Sequence, residues 1–361
     1  MEEIMRDIHI LCGGISSEHE ISLRSAQSII NYIDKDKYKV SMSYIDKEGK
    51  FIPIGSYKAP IENPEDLIKK SSDSKLESIS KFIKYLDKLD NPIIIPVIHG
   101  TSGEDGQIQG FIKTLGFTFV GNDILASALC MDKGVANDMF RAHNIPQANY
   151  YVLTRTKYDR HPSKDKIVTD IFDICGEKVF VKPANNGSSV GVNRANRENI
   201  IEALEDAFKY DNTIVIEEEI IGDELEISVV GNENPVASLP GSYSTNREFF
   251  DYTAKYHDRT LIRNIPHKLD KAKEKKVRTL AIDAYQATGC RGFARVDIFL
   301  DKNGNFYVNE INTFPGMTFS SLSAGLWEAT DGTTFTQLVD RLIDLAIDRE
   351  KEDKKLVKVR D

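Results

Sequence analysis

Short, wholly apolar runs punctuate the first hundred residues. Residues 8–12 (IHILC) form one, ended by Gly13-Gly14, and residues 93–98 (IIIPVI) form another, ended by His99-Gly100. Apolar positions without alternation predict strands covered on both faces, as in a parallel sheet flanked by helices. Between them the pattern predicts a helix from about Ser22 to Ile33 and a strand over 38–45. This strand–loop–helix alternation predicts an open parallel sheet, whose ligands bind at the loops leaving the strand carboxyl ends. The stretch 57–90 is rich in Lys, Asp, Glu and Ser, and reads as solvated surface structure of the kind that varies between relatives.

Further along, Asp132–His143 has a helical pattern and is followed by Asn-Ile-Pro, which ends helices. Residues 178–183 (KVFVKP) predict a strand that runs into a Gly- and Ser-rich segment, with a helix at about 197–208 and a strand at 213–217 (TIVIE). The last third predicts strands at 294–300 and 305–311 around an Asp-Lys-Asn-Gly turn, then an amphipathic helix at about 333–349. There is no internal repeat.

At 361 residues the chain has room for two or three domains. Its formal charge of -9 argues against a general nucleic-acid or membrane-surface binder, because polyanions would be repelled. No apolar run approaches the roughly 20 residues of a membrane span. The opening MEEIMRDIHILCGG carries acidic residues where a secretion signal would be basic, so the expected location is the cytoplasm. Cys12, Cys130, Cys175 and Cys290 lie far apart with no CxxC pair, which predicts buried thiols rather than zinc or a disulfide framework.

Three segments carry candidate chemistry. Arg295-Val-Asp297 on one hairpin strand and Asn309-Glu310-Ile-Asn312 on the next offer hard oxygens. Glu310 and Asn312 share a strand face, and such donors suit magnesium, although two exposed polar strands would look similar. Lys182-Pro-Ala-Asn-Asn-Gly187-Ser188-Ser189-Val-Gly191 follows a strand and can wrap phosphates with backbone N–H groups. It lacks the Walker A pattern, and a plain connection fits it equally well. Glu217 and Glu224 flank the end of an apolar strand, where carboxylates can accept from an adenine amino group and ribose hydroxyls, or simply be solvated.

Taken in order, these segments resemble the ATP-grasp superfamily and, within it, the D-alanine–D-alanine ligases. Gly13-Gly14-Ile-Ser-Ser-Glu18-His-Glu-Ile-Ser-Leu is similar to the first substrate-binding signature of those ligases. His99-Gly100-Thr-Ser-Gly-Glu104-Asp105-Gly106-Gln-Ile-Gln109-Gly110 is similar to the second, and Met131-Asp-Lys133 to the segment carrying an ATP-binding lysine. Phe250-Asp-Tyr-Thr-Ala-Lys255-Tyr256 resembles a loop that closes over the site, and Asn309–Thr318 the metal and oxyanion segment. The resemblance runs from Leu11 to about Ala346.

The resemblance implies an α/β fold of three-domain ATP-grasp architecture with an N-terminal open parallel sheet: 1–130 for substrate, 131–216 as central subdomain, and 217–361 carrying the metal and catalytic residues. It implies ligation of two D-alanines through an acyl phosphate, for peptidoglycan, with ATP and two magnesium ions as cofactors and manganese as a substitute. Asp297, Glu310 and Asn312 would hold the metals. Lys133, Lys182, Ser188, Ser189, Glu217, Glu224 and Lys255 would hold ATP. Glu18 and His99 would bind the first D-alanine, Ser320 and Ser321 the second, and Arg295 with the Gly316 N–H the oxyanion. Glu18, Ser188 and Tyr256 would latch the loop.

Tyr256 favours an amine as second substrate, with D-serine left open. Phe319 departs from the commoner serine and is expected near the second pocket. A homodimer is implied by the resemblance alone. Another ATP-grasp ligase, an inactive nucleotide-binding module and a dehydrogenase suggested by Gly13-Gly14 remain as alternatives, the last without G-x-G-x-x-G spacing.

Overall fold

The computed structural model describes residues 5–244 and 262–357. Three sheets follow one another along the chain. The first holds β1 (Arg6–Gly13), β2 (Tyr38–Ile45), β3 (Phe51–Ser56), β4 (Ile93–Val97) and β5 (Thr118–Phe119), in the order β3-β2-β1-β4-β5. All neighbours are parallel except the edge strand β3. Every residue of β4 is buried, because helices cover both faces. Helix α1 (His19–Tyr32) packs on the face carrying Ile8 and Ile10, and α2 (Lys75–Leu86) and α3 (Gln107–Thr114) on the face carrying Leu11.

The stretch 57–90 is therefore more than solvated surface. Ser74 and Glu77 form a capping box that starts α2, and Ser78, Phe82 and Leu86, four residues apart, are buried. Charged side chains on its other faces hide that stripe from a compositional reading. Ahead of it, a short 3-10 turn, Pro64–Leu67, buries Leu67.

Helices α4 (Ile124–Met131) and α5 (Lys133–Ala142) lead into the second sheet. It comprises β6 (Tyr150–Thr154), β7 (Val179–Pro183), β8 (Asn193–Ala195) and β9 (Thr213–Glu218), antiparallel in the order β6-β9-β7-β8. Its own core forms against α7 (Lys164–Cys175) and α8 (Ile200–Ala207), which follow the short α6 (Arg155–Arg160).

The third sheet is built on β10 (Gly222–Gly231), with β11 (Val236–Ala237), β12 (Gly241–Ser244), β13 (Ile262–Asn264), β14 (Gly292–Asp301) and β15 (Phe306–Asn312). Its main path is β13-β12-β10-β14-β15, with β11 also paired to β10. Helix α9 (Lys271–Ala287) packs on it. Asp301 accepts from the N–H groups of Asn303 and Asn305 at 2.8 Å each, closing the β14–β15 turn that the sequence predicts. Two helices end the chain, α10 (Leu322–Asp331) and α11 (Phe335–Asp353). They return to the first sheet: Trp327, Leu338, Leu342 and Ile343 share one core with Ile8, Ile10 and Leu23.

Candidate active site

The glycine pair after β1 makes a tight exit. Gly13 has φ +91°, and a Cβ there would fall 2.1 Å from the Ile45 carbonyl oxygen. Buried His19 fastens this turn, with Nδ1 2.7 Å from the Gly14 carbonyl and Nε2 3.1 Å from the Tyr44 hydroxyl. Because a carbonyl only accepts, Nδ1 carries the proton and the tyrosine donates to Nε2. Glu18 opens α1 but its side chain makes no cap bond. Instead its carboxylate accepts from the Ser188 hydroxyl. Gly100 (φ +71°) makes room for it, since a Cβ would stand 2.9 Å from Glu18 Oε2.

Ser188 and Ser189 have φ of +55° and +56°, left-handed values that cost non-glycine residues roughly 1–2 kcal/mol each. The turn they form brings the loop after β7 against α1, 170 residues away.

His99, at the end of β4, is buried. Its Nδ1 lies 3.0 Å from the Phe314 carbonyl and 3.4 Å from Glu104 Oε1, and its Nε2 lies 3.0 Å from Ser25 Oγ. Ser25 Oγ also accepts from the Met317 N–H at 3.2 Å. Burial disfavours a charged imidazole, but the hydrogen bond and charge of Glu104 outweigh it, so His99 lies above its ordinary pKa. Burial, with the charge of Glu18 adding to it, pushes the Glu104 carboxyl up as well. The sequence motif contains Glu104 but gave it no role.

Asp132 caps α5, accepting from the N–H groups of Gly134 and Val135 at 3.0 and 3.1 Å. That cap sets Lys133 at the first helical position, where Nζ donates to the Asn186 carbonyl at 2.9 Å and lies 3.4 Å from Glu310 Oε2. On β7, Lys182 donates to Glu217 Oε2 at 2.6 Å and to Asn309 Oδ1 at 3.2 Å. Burial works against its charge, yet Glu217 more than compensates and raises its pKa. Asn309 in turn donates to Glu224 at 3.2 Å. Lys182, Glu217 and Glu224 are thus joined through Asn309 across the second and third sheets.

In the third sheet, strand register does the assembly. Glu226 on β10 stands opposite Asp297 on β14, which stands opposite Glu310 on β15. Arg295, two residues before Asp297 on the same face, grips its carboxylate at 2.7 and 2.6 Å. Asn312 Nδ2 donates to Asp297 at 3.0 Å. Burial pushes the Asp297 carboxyl up to about 7 against the pull of Arg295. Two carboxylates and an amide oxygen on adjoining strands are a hard donor set of small number, which suits a magnesium ion that keeps waters and shares phosphates. No group of three or more His, Cys, Asp or Glu side chains converges as a metal cage among the described residues.

These parts meet around a cavity of about 370 Å³. Glu18, His99, Lys133, Ser188, Ser189, Arg295, Glu310, Asn312, Gly316, Ser320 and Ser321 line it. Lys182, Glu217, Glu224 and Asp297 do not line it; Asp297 bonds to Arg295 and Asn312, which do, while the other three are joined to one another through Asn309. Lys255 and Tyr256 lie outside the described residues. Ser321 caps α10 by accepting from the Ala324 N–H at 3.3 Å, and the Ser320 carbonyl accepts from Arg263.

Phe319 lies between Thr318 and Ser320, which line the cavity, but its own side chain points elsewhere. It is 54 % exposed, stacks on Tyr32 with ring centroids 4.3 Å apart, and is not part of the cavity wall. Glu226, Ser25 and Arg263 were missed. Glu226 was findable, because it follows Glu224 by two on one strand and so shares its face. The other two come from tertiary contacts that spacing does not encode. All four cysteines are free and buried, as expected. No helix among the described residues is long and apolar enough to cross a membrane.

Residues 7–122 match the family model "D-ala D-ala ligase N-terminus", and residues 139–344 match "D-ala D-ala ligase C-terminus". The chain is 44 % identical over 353 residues to the D-alanine–D-alanine ligase of Finegoldia magna, covering 97 % of this chain and 98 % of that one. Among solved structures, the D-alanine–D-alanine ligase of Coxiella burnetii superposes with a TM-score of 0.77 at 32 % identity, covering 97 % of each chain. The VanG D-Ala:D-Ser ligase of Enterococcus faecalis also gives 0.77, at 27 % identity and 95 % and 99 % coverage. With both halves matched in order and a solved member superposing over 97 % of its length, this chain belongs to the D-alanine–D-alanine ligase family.

Proposed function

We propose that the protein joins two D-alanines into D-alanyl-D-alanine at the expense of ATP, in the cytoplasm, to supply peptidoglycan. The observation that carries this reading is the cavity itself. It gathers Glu18, His99, Ser188, Arg295, Glu310 and Ser321 from segments spread over the chain, within a family named for the reaction.

Glu18 suits the ammonium of the first D-alanine, beside His99. The carboxylate of that substrate attacks the γ-phosphate of ATP and displaces ADP, and the amine of the second D-alanine then attacks the carbonyl of the resulting acyl phosphate and expels inorganic phosphate. Phosphoryl transfer asks mostly for positioning and charge neutralisation. Lys133 and Lys182 answer that need, with Lys255 on the loop. Ser188 and Ser189 offer loop donors to the γ-phosphate, and Glu217 and Glu224 bind the nucleoside. Asp297, Glu310 and Asn312 would hold magnesium, with manganese a substitute; when bound, it screens the phosphate charge. Arg295 and the Gly316 N–H face the oxyanion of the second step, where one such donor is worth about 3 kcal/mol. Ser321, with Ser320 beside it, receives the carboxylate of the second substrate. Tyr256, which lies outside the described residues, would by the family resemblance latch with Glu18 and Ser188, so that the acyl phosphate meets amine rather than water.

In this reading 1–130 binds substrate, and 131–216 and 217–361 enclose ATP. A homodimer is the expected assembly, and sedimentation at micromolar concentration tests it. D-alanine-dependent phosphate release from ATP tests the chemistry. It should be present in the wild type and fall by about a hundred- to a thousandfold in Glu310→Ala, since oriented charge supplies most of such rate enhancements. Undiminished release in that variant would remove Glu310 from the mechanism.

A further inference from the structure

Glu226 lines the cavity, is 6 % exposed, and has no part in the roles given above. Its strand neighbour across β10–β14 is Asp297, and the next across β14–β15 is Glu310, so three carboxylates stand in a row on one face. Arg295, 9 % exposed, is the cation that faces the first two of them. Its Nε lies 2.7 Å from Asp297 Oδ1 and 3.4 Å from Glu226 Oε2, while Nη2 holds Asp297 Oδ2 at 2.6 Å.

This arrangement sets a conflict. Arg295 and Asn312 together fill Asp297 Oδ2, and Arg295 takes one of the two lone pairs of Oδ1, so a divalent cation that draws on more than the remaining Oδ1 lone pair must loosen the grip of Arg295. A buried guanidinium deprived of its carboxylate, and placed beside a divalent cation, would be strongly destabilised unless another anion faced it. Glu226 is already buried, already one strand across, and already close to Nε.

We propose that Glu226 is a positioning residue for Arg295, taking up the guanidinium when Asp297 turns to the metal and keeping it aimed at the reacting oxygens. The inference rests on the reading of Asp297 as a metal ligand and Arg295 as an oxyanion donor. It makes the three-carboxylate row a relay of counter-charge rather than a three-ligand cage.

The test uses the full chain with ADP present and Mn2+ as the probe, its binding followed by the paramagnetic resonance of the free ion. In Glu226→Gln, Arg295 has only Asp297 left as carboxylate partner, so Mn2+ affinity should fall by at least about tenfold. The kcat should fall as well, while the KM for the first D-alanine stays within about twofold because its ammonium site is separate. Glu226→Asp, which keeps the charge, should recover part of both losses. Wild-type Mn2+ binding and kcat in Glu226→Gln would overturn the inference. So would losses in Glu226→Gln and Glu226→Asp that simply track a common drop in Tm. Asp297→Asn separates the two levels. If it loses Mn2+ while Glu226→Gln does not, only the role of Glu226 falls. If it binds Mn2+ like wild type, the metal reading falls and this inference with it.

Discussion

His9 shows how one buried side chain writes a pH dependence into the fold. It is fully buried between Ser41 and Ser43, with ring nitrogens 2.9 and 3.0 Å from their hydroxyls, and burial lowers its pKa to about 3. The folded protein therefore holds a neutral imidazole where the unfolded chain takes up a proton near pH 6.5. Its stabilising contribution is complete above that value and is lost as the pH falls towards 3. Between pH 7.5 and 5.5 this group alone should cost about 1.4 kcal/mol, and His9→Gln should remove that slope. Urea titrations of both proteins at the two pH values measure it.

Phe319 gives the opposite kind of test. A sequence reading sees an aromatic replacing a small residue beside the second subsite. The structure turns it outwards onto Tyr32. Phe319→Ser should thus leave the ratio of D-alanine to D-serine incorporation within about twofold, and lower stability by about 0.5–1.5 kcal/mol through loss of the stacked pair. A changed product ratio would return Phe319 to the pocket.

At the scale of elements, legibility depended on whether the signal was local. The buried strands β1, β2 and β4, the β14–β15 hairpin and the capped helix at Asp132 were visible because apolar runs, turn residues and caps act over a few positions. Helix α2 was not, because its stripe of Ser78, Phe82 and Leu86 is one small polar and two apolar residues in a heavily charged segment. Of the residues that line the cavity, Glu18, His99, Arg295, Glu310 and Asn312 were legible through motifs. Glu226 and Ser25 needed the register and contacts that only the fold supplies. The α5 cap is where element and site join: Asp132→Ala should cost about 1 kcal/mol. Because the cap also sets Lys133, the KM for ATP should rise several-fold with a smaller change in kcat, which steady-state kinetics at varied ATP will show.

For the whole molecule, the first and third sheets are not independent units. Trp327, Leu338 and Ile343 complete the core under β1, and Arg349 donates to the carbonyls of Gly121 and Phe119 at 2.5 and 2.6 Å. The cavity therefore has a wall made from both ends of the chain, against which the loop of Ser188 and Ser189 is set by Glu18. Trp327 is the only tryptophan, so its fluorescence reports this shared core. Arg349→Leu leaves two carbonyls without their donor and should destabilise that signal by roughly 1–3 kcal/mol.

Everything proposed for this cavity turns on which bond it forms. The direct measurement is to supply purified protein with ATP, magnesium and equimolar D-alanine, D-serine and D-lactate near neutral pH, and to identify the products by mass. D-alanyl-D-alanine is expected to dominate. A mainly serine- or lactate-containing product would contradict the assignment of the second subsite, and the absence of any D-alanine-containing product would contradict the ligase reading as a whole.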